Sequence, residues 1–301
     1  MPLENVGPFA RNRVSLGDSR ELIGQLPDAS VDVVVTSPPY WGQRTSAGAG
    51  VETDPREYIR ELRTIFEALL PKMKADGILW LNVGDAYNTP VNWRPSDHVY
   101  SSLGADGVGL DPTNSAYTKP RHARKAFIDD DEGWLSYGSL LALPYRLVMG
   151  MADDGWVFRG EVIWRKRNPM PEGRARRPHR QHEPIYLFGA SDRHSFRVTP
   201  PVGSVWDISN EQIDGLKHYS RFPTELPRRC IDALGRAGDD VLVLDPFSGS
   251  GSTGIVAREL GCSFVGFEID AEQVEAANAR LCAQECGETV MGRSIGARLF
   301  G

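Results

Sequence analysis

The sequence has few cysteines, no long uninterrupted apolar run and no overall excess of basic residues. Its four cysteines are Cys230, Cys262, Cys282 and Cys286, and we expect reduced thiols that pack as small apolar groups. Cys282 and Cys286 are spaced i, i+4, but no second close pair completes a tetrahedral zinc site. The sequence therefore predicts neither a disulfide framework nor a metal centre.

Membrane segments are also missing from the sequence. The longest apolar stretch, residues 140–151, is interrupted by Pro144 and Arg146 and is shorter than the roughly 20 residues that cross a bilayer. The first residues do not join a basic start to an apolar run, as a signal peptide would. We therefore expect no membrane partner.

Charge is distributed unevenly along the chain. The net charge of −6 argues against a uniformly basic surface for nucleic acid. Residues 159–180 nevertheless carry a local charge of +6. Such a segment is either a solvated face or a site for a polyanion, and its composition alone favours neither.

Strands and helices alternate at both ends of the chain. Apolar runs predict strands at 31–36, 78–83, 157–164, 185–188, 241–244 and 263–267. Helical spacing of apolar residues predicts helices at 57–73, 139–151, 224–234, 252–260 and 271–286. This alternation predicts an α/β fold with a mostly parallel sheet and helices on both faces.

Two long segments interrupt that alternation. Residues 86–137 are rich in Gly, Pro, Asn, Ser and Asp and show little periodicity, which is typical of a functional loop or insert. Residues 172–215 form a second irregular segment that carries much of the basic run. Residues 287–301 are small and polar, and we expect them to form a tail.

A glycine-rich segment, VLVLDPFSGSGSTGIVARELGCSFVGFEID, spans residues 241–270. A predicted strand ends at Asp245, the spacing G-x-G-x-x-G follows at 249–254, and a helix and a second strand lead to Glu268. Glycines let a ligand approach the backbone at a helix N-terminus, and the acid can bind both ribose hydroxyls. NAD-dependent dehydrogenases share this arrangement, but a carboxylate at Asp245 favours a cationic ligand such as S-adenosylmethionine over a pyrophosphate.

The segment VDVVVTSPPYW, residues 31–41, runs from a predicted strand into Ser37-Pro38-Pro39-Tyr40. The prolines hold the carbonyls of Ser37 and Pro38 in fixed directions. The Ser37 hydroxyl and the Pro38 carbonyl could then accept the two hydrogens of an aromatic amino group, while Tyr40 offers a face for stacking. A proline-rich turn is the alternative, and Trp41 either lines the pocket or packs in the core.

Together these motifs resemble the amino-group DNA methyltransferases that use S-adenosylmethionine. The resemblance rests on LGDS (16–19), TSPPYW (36–41), GILWLNVGD (77–85), EVIWRKRNPMP (161–171), HYSRFPTELPRRCI (218–231), DPFSGSGST (245–253) and FVGFEID (264–270). Because SPPY precedes the glycine-rich segment, the order is that of the circularly permuted β group. The resemblance implies a circularly permuted Rossmann-like methyltransferase fold.

The resemblance also implies a division of the chain by role. The catalytic half covers residues 1–85 and continues at 138–171, the insert 86–137 contacts DNA, and 172–215 is a basic target-recognition region. Residues 216–286 form the cofactor-binding half, and 287–301 is the tail.

The catalytic and cofactor-binding residues follow from the resemblance motif by motif, and the DNA-binding residues follow from the basic run. The predicted catalytic residues are Ser37, Pro38, Pro39 and Tyr40. The predicted cofactor-binding residues are Asp18, Ser220, Phe222, Pro223, Asp245, Pro246, Phe247, Gly249, Ser250, Gly251, Ser252, Thr253, Glu268 and Ile269. The predicted DNA-binding residues are Arg165, Lys166, Arg167, Arg174, Arg176, Arg177 and Arg180. A turn before a helix explains Asp18 nearly as well as cofactor binding does, and no metal ligand is predicted.

The predicted reaction is direct in-line transfer of a methyl group from S-adenosylmethionine to N4 of a flipped-out cytosine. Adenine N6 is the alternative acceptor, because the family correlation of SPPY with cytosine is imperfect. An NAD-dependent dehydrogenase and a non-catalytic DNA-binding module are more remote alternatives. The resemblance implies double-stranded DNA as partner, a cytoplasmic protein of bacterial, archaeal or phage origin, and a role in restriction-modification or phage and host DNA protection. It is compatible with a cognate restriction endonuclease and with a homodimer.

Overall fold

The computed structural model describes residues 5–42, 48–88, 92–93, 122–123, 138–167, 169, 177–197, 203–209 and 223–285. Several predicted features therefore lie outside the described residues: Arg174, Arg176, Ser220, Phe222, Cys286, most of the insert 86–137 and the tail 287–301.

The described residues form twelve strands and six α-helices, which alternate over part of the chain. Its strands are β1 (Asn5–Val6), β2 (Phe9–Ala10), β3 (Arg13–Leu16), β4 (Val31–Thr36), β5 (Met73–Asn82), β6 (Asn92–Trp93), β7 (His122–Ala123), β8 (Val157–Lys166), β9 (His182–Gly189), β10 (Val205–Ile208), β11 (Leu242–Asp245) and β12 (Ser263–Glu268). Its helices are α1 (Ser19–Leu22), α2 (Pro55–Leu69), α3 (Leu143–Asp153), α4 (Glu225–Asp232), α5 (Ser252–Glu259) and α6 (Ala271–Glu285).

Eight of these strands form one sheet in the order β10-β8-β9-β5-β4-β11-β12-β3. Strand β9 is antiparallel to both of its neighbours, β5 and β8, and the other seven strands run in one direction. The predicted α/β fold with a mostly parallel sheet is confirmed.

Helices cover both faces of the sheet because the central strands are apolar on both faces. Every residue of β4 is buried, and consecutive valines enter different core clusters: Val34 packs with α2 and α3, and Val33 packs with α4, α5 and α6. Strands buried on both faces read as continuous apolar runs, which is why the sequence predicts β4.

Helix α2 differs from its prediction at both ends. It begins at Pro55 because Asp54 accepts a hydrogen bond from the Arg56 backbone N–H and proline suits the first helical position. The prediction that it reaches residue 73 is wrong. A short 3₁₀ turn follows Leu69, and Met73 already begins β5.

The segment 172–215, predicted to be irregular apart from a strand at 185–188, contributes two strands to the sheet. Strands β9 and β10 lie there, and β10 alternates buried Trp206 and Ile208 with exposed or half-buried neighbours. Strand β3 was missed because it is short and its end is exposed. None of the helices in the described part of the chain has the length and hydropathy to cross a bilayer.

Candidate active site

The two predicted loops meet at the carboxyl ends of adjacent parallel strands. Strands β4 and β11 pair with Val34 opposite Leu244. Each strand runs directly into one loop: the SPPY loop, residues 37–40, follows β4, and the glycine loop, residues 246–251, follows β11. The carboxyl edge of such a sheet is where α/β proteins bind ligands.

A buried hydrogen bond joins the two loops. The Thr36 hydroxyl donates to Asp245 Oδ1 at 2.8 Å, although the two residues are 209 positions apart. The Phe247 backbone N–H donates to the same oxygen at 3.1 Å, and the Thr253 hydroxyl donates to Oδ2 at 2.7 Å. Asp245 therefore fastens the SPPY loop to the glycine loop, a role that the sequence did not indicate.

Asp245 is also the most strongly perturbed carboxyl group of the site. Its exposed fraction is 2%, and burial raises its pKa to about 6 against the opposing effect of its hydrogen-bond donors. A buried carboxylate of this kind gains stability when a positive charge comes near. Its environment therefore fits the predicted cationic ligand.

The glycine loop has the backbone shape that a close ligand requires. Gly249 and Gly251 have φ values of +51° and +79°, and α5 begins immediately after them at Ser252. The third glycine has a packing role, because a Cβ on Gly254 would lie 2.6 Å from the Phe264 ring. These are the functions expected of the three glycines in a nucleotide-binding turn. The predicted residues Pro246, Ser250 and Thr253 lie in this loop or on the first turn of α5.

Glu268 is held beside the glycine loop by backbone donors. Its Oε2 accepts from the Gly249 N–H at 2.9 Å, and its Oε1 accepts from the N–H groups of Ile269 and Asp270 at 3.0 and 3.1 Å. The side chain is buried at the carboxyl end of β12. These contacts hold the Glu268 carboxylate beside Gly249 of the glycine loop.

Asp18 lies next to this acid but has a local role in the structure. It follows β3, whose partner strand ends at Glu268, and it caps α1 by accepting from the Arg20 backbone N–H at 2.9 Å. A side-chain ion pair with Arg20 lowers the pKa of Asp18. The structure thus contains the turn-and-cap alternative, and a contact of Asp18 with cofactor stays a prediction. Pro223 immediately precedes the N-cap residue of α4.

The SPPY loop rests on a polar residue at the end of β5. The Ser37 hydroxyl lies 3.3 Å from Asn82 Oδ1, and the Tyr40 hydroxyl lies 2.9 Å from the same oxygen. The orientation of the amide is defined, because Asn82 Nδ2 donates to the Pro184 carbonyl at 2.9 Å. Asn82 therefore presents an acceptor to Ser37.

Tyr40 is confined at its face and at its tip. A Cβ on Gly84 would lie 2.4 Å from the Tyr40 ring, so the ring packs directly on glycine backbone. The hydroxyl donates to Glu183 Oε2 at 2.7 Å. Burial and the Glu183 carboxylate raise the pKa of Tyr40, so the phenol keeps its proton.

Residues beside the loop complete its support. The Tyr58 hydroxyl of α2 donates to the Pro39 carbonyl at 3.0 Å. The Trp41 indole N–H donates to the Glu52 carbonyl at 2.9 Å, and Trp41 is only 8% exposed within the core. Of the two alternatives for Trp41, the structure shows core packing.

Five of the seven predicted DNA-binding residues are described, and three of them line one cleft, whose edge we call the basic rim. Arg165, Lys166 and Arg167 line a cleft of about 540 Å³ with Pro169, Gln181 and Asp207. Arg165 pairs with Asp207, and Lys166 pairs with Glu183.

The other two described residues of the predicted DNA-binding set, Arg177 and Arg180, lie against the segment that follows β5. The Arg177 guanidinium stacks 3.7 Å from the centre of the Tyr87 ring. Arg180 donates to the Asp85 carbonyl at 2.9 Å. The Asp85 side chain accepts from the Leu143 N–H at 3.0 Å and so caps α3, and burial raises the pKa of Asp85.

Sequence reasoning missed Asn82, Gly84 and Glu183 as parts of this site. Asn82 carried a signal, because it is a polar residue at the end of an apolar run. Gly84 and Glu183 carried none that separates them from ordinary turn and surface residues. In the described part of the chain, no cluster of His, Cys, Asp and Glu is arranged to hold a metal ion.

Comparison with known families decides the class of this site. Residues 31–279 match the model of the DNA methylase family, N6_N4_Mtase. This chain belongs to the DNA methylase family. The predicted recognition is therefore confirmed, and the dehydrogenase alternative is wrong.

The sequence is similar to those of individual methyltransferases over most of their length. The chain is 32% identical to the type II methyltransferase M.SmaI of Serratia marcescens, over 89% of this chain and 90% of that protein. It is also 32% identical to the type II methyltransferase M.Cfr9I of Citrobacter freundii, over 92% and 91% of the two chains.

Solved structures confirm the methyltransferase fold. TTHA0409 of Thermus thermophilus, solved in complex with S-adenosyl-L-methionine, has a TM-score of 0.61 at 22% identity and covers 91% of this chain and 93% of its own. PvuII DNA methyltransferase, described as cytosine-N4-specific, has a TM-score of 0.61 at 21% identity and covers 94% and 95%. The predicted cofactor, S-adenosylmethionine, agrees with these comparisons.

Proposed function

We propose that this DNA methyltransferase moves a methyl group from S-adenosylmethionine to the exocyclic N4 of cytosine. The observation that carries the proposal is the Thr36–Asp245 hydrogen bond, which keeps a cofactor-type glycine loop beside an SPPY loop. A methyl donor on one loop and an amine on the other would then face each other across adjacent strand ends.

The glycine loop and its acid fit S-adenosylmethionine. Glu268 would accept hydrogen bonds from the ribose hydroxyls, and the backbone at Gly249 and Gly251 leaves room for a ligand without side-chain obstruction. The negative charge of Asp245 favours the ammonium and sulfonium groups of this cofactor. When bound, S-adenosylmethionine supplies an activated methyl group on a positively charged sulfur.

The SPPY loop would hold the amino group of the target base. Because Ser37 can donate its hydroxyl hydrogen to Asn82, its oxygen lone pairs are left to accept one hydrogen of the amine. The Pro38 carbonyl would accept the other. Two acceptors in fixed positions keep the amine lone pair on nitrogen and aim it at the methyl group, and the exposed face of Tyr40 would stack on the base.

Cytosine is the preferred acceptor because a neutral serine stands at the first position of the motif. PvuII methyltransferase, which shares this fold, is described as cytosine-N4-specific. Adenine N6 is the second candidate, since the family name covers both amines and a serine hydroxyl does not exclude adenine. Either base would have to leave the duplex stack, at a cost of a few kcal/mol.

Double-stranded DNA would lie against the basic rim. Arg167 and its neighbours around the cleft are suited to phosphate contacts, and residues 172–215 would help to read the target sequence. The relatives are named type II methyltransferases, which supports a restriction-modification role, a cognate endonuclease and a cytoplasmic location. A homodimer is compatible with this role.

The decisive experiment is methylation of unmodified mixed-sequence DNA, followed by nucleoside analysis. N4-methylcytosine is expected, and N6-methyladenine would select the second candidate. Absence of both products, from protein that binds S-adenosylmethionine, would refute DNA methylation by this site. Ser37→Ala is the matched control, because it should bind cofactor and leave the DNA unmodified.

A further inference from the structure

Glu183, near the start of β9, connects the SPPY loop to the basic rim. It lies opposite Trp164 in the register of β8 and β9. Its Oε2 accepts from the Tyr40 hydroxyl at 2.7 Å, and its Oε1 pairs with the Lys166 ammonium. The Glu183 side chain is 16% exposed, so both partners act on a largely buried carboxylate.

The contact with Tyr40 decides where one hydrogen goes. A tyrosine hydroxyl carries a single hydrogen, and two oxygens lie within reach of it: Glu183 Oε2 at 2.7 Å and Asn82 Oδ1 at 2.9 Å. A carboxylate is the stronger acceptor, so Tyr40 donates to Glu183. The Asn82 oxygen, which has two lone pairs, still accepts from Ser37.

The contact with Lys166 keeps the carboxylate in place. A largely buried charge without a partner is costly, and the Lys166 ammonium supplies that partner. Lys166 also stacks over the Trp164 ring, 5.0 Å from its centre, and lines the basic cleft. The position of Glu183 therefore depends on a residue at the edge where DNA is proposed to bind.

We propose that Glu183 is a positioning residue for methyl transfer. It fixes the tip of Tyr40 through the Tyr40–Glu183 hydrogen bond, and Lys166 holds it in place. This rests on the proposed function, which assigns base stacking to Tyr40 and amine binding to Ser37.

A double-mutant cycle of Glu183→Ala and Tyr40→Phe tests this role. Single-turnover methylation of mixed-sequence DNA should slow about ten- to a hundredfold for each single variant, because each loses one charge-assisted hydrogen bond. The affinity for S-adenosylmethionine should stay within about twofold. The double variant should be no slower than the slower single variant, and rates that fall multiplicatively would overturn the proposal.

Matched variants separate positioning from general damage to the sheet. Glu161 on β8 lies 3.5 Å from the hydroxyl of Tyr145 on α3, so Glu161→Ala removes a weaker, more exposed Tyr–Glu contact away from the SPPY loop. It should leave the rate near that of the wild type, and a loss equal to that of Glu183→Ala would contradict the proposal. Glu183→Gln keeps an acceptor oxygen and should recover part of the rate, whereas a rate no better than that of Glu183→Ala would count against it.

A second measurement distinguishes failure of the Glu183 proposal from failure of the proposed function. If the wild-type protein binds S-adenosylmethionine but methylates no DNA, the proposed function fails. The same cycle measured by urea unfolding still tests the Tyr40–Glu183 contact. Midpoint shifts that are not additive would support the coupling, and additive shifts would overturn it.

Discussion

The glycine loop after β11 takes much of its shape from residues close to it in the chain, although Thr36 and Ser19 also bond to residues at its start. The SPPY loop after β4 depends mainly on distant residues. Gly249 and Glu268 are separated by one helix and one strand, and a backbone N–H joins them. Ser37 and Tyr40 depend instead on Asn82 of β5 and Glu183 of β9. The glycine loop is thus built largely from its own segment, and the SPPY loop is assembled by the sheet.

This difference separates two kinds of fragility. A locally built loop depends on backbone conformation and is damaged by substitutions within itself. An assembled loop can be disturbed from any strand that supports it, including by residues outside the loop. This comparison requires that substitutions in the SPPY loop leave the glycine loop unaffected, and that substitutions in the glycine loop leave the SPPY loop unaffected.

The largest effect is expected for Ser37→Ala. It removes the proposed acceptor for the amine, so single-turnover methylation should fall about a hundred- to a thousandfold, as when one positioned polar group is lost from an active site. The affinity for S-adenosylmethionine, measured by titration calorimetry, should be unchanged because the glycine loop is intact. A weakened cofactor affinity would show that the SPPY loop and the glycine loop are not independent.

A smaller but still large effect is expected for Gly84→Ala. The new Cβ would lie 2.4 Å from the Tyr40 ring, and the displaced ring should slow methylation about ten- to a hundredfold. Gly24→Ala is the matched control, because a Cβ there meets no atom within 4 Å. Equal methylation rates for Gly84→Ala and the wild type would show that the position of the Tyr40 ring does not affect methyl transfer.

We expect an intermediate effect of pH on the affinity for S-adenosylmethionine, caused by the titration of Asp245. Its pKa is raised to about 6, so the carboxyl is mostly protonated at pH 5 and mostly ionised at pH 7. Because a cationic ligand prefers the ionised form, affinity for S-adenosylmethionine should rise about tenfold between these values. In Asp245→Asn the rise should vanish. If the affinity of the wild type does not change with pH, the Asp245 carboxylate does not contribute to binding the positive charge of the cofactor.

The same raised pKa predicts the effect of Asp245 on folding. A carboxyl whose pKa is higher in the folded state contributes most stability below its unfolded pKa, and that contribution is lost as pH rises through about 6. Urea unfolding without cofactor should therefore show a contribution of this residue that decreases between pH 4 and pH 7. An increase over that range would contradict the assigned direction.

The smallest effect is expected for a single residue of the basic rim. If Arg167 contacts a phosphate, Arg167→Gln should reduce the salt dependence of DNA binding by about one unit of log–log slope. Arg60→Gln on the exposed side of α2 is the control and should leave the slope unchanged. An unchanged slope for Arg167→Gln would make Arg167 part of a solvated face.

The same contrast explains how far the sequence could be interpreted. The glycine loop, Glu268 and the helix between them were predictable because residues 241–270 contain nearly all of their determinants. Strand β4 and the SPPY loop were visible as a motif, but their supports were not. Periodicity indicates that β5 and β9 are buried, and it does not indicate which strands are neighbours. Asn82 and Glu183 became recognisable as site residues only once the sheet order was known.

The Thr36–Asp245 hydrogen bond has a consequence for how such a protein can be rearranged genetically. The bond acts through space between neighbouring strands, and the 209 positions that separate its partners in sequence take no part in it. A gene in which the segment encoding β11 came before the one encoding β4 would keep this bond as long as the two strands still paired. The order in which the two halves are translated is therefore free to change, while the adjacency of their strands is not.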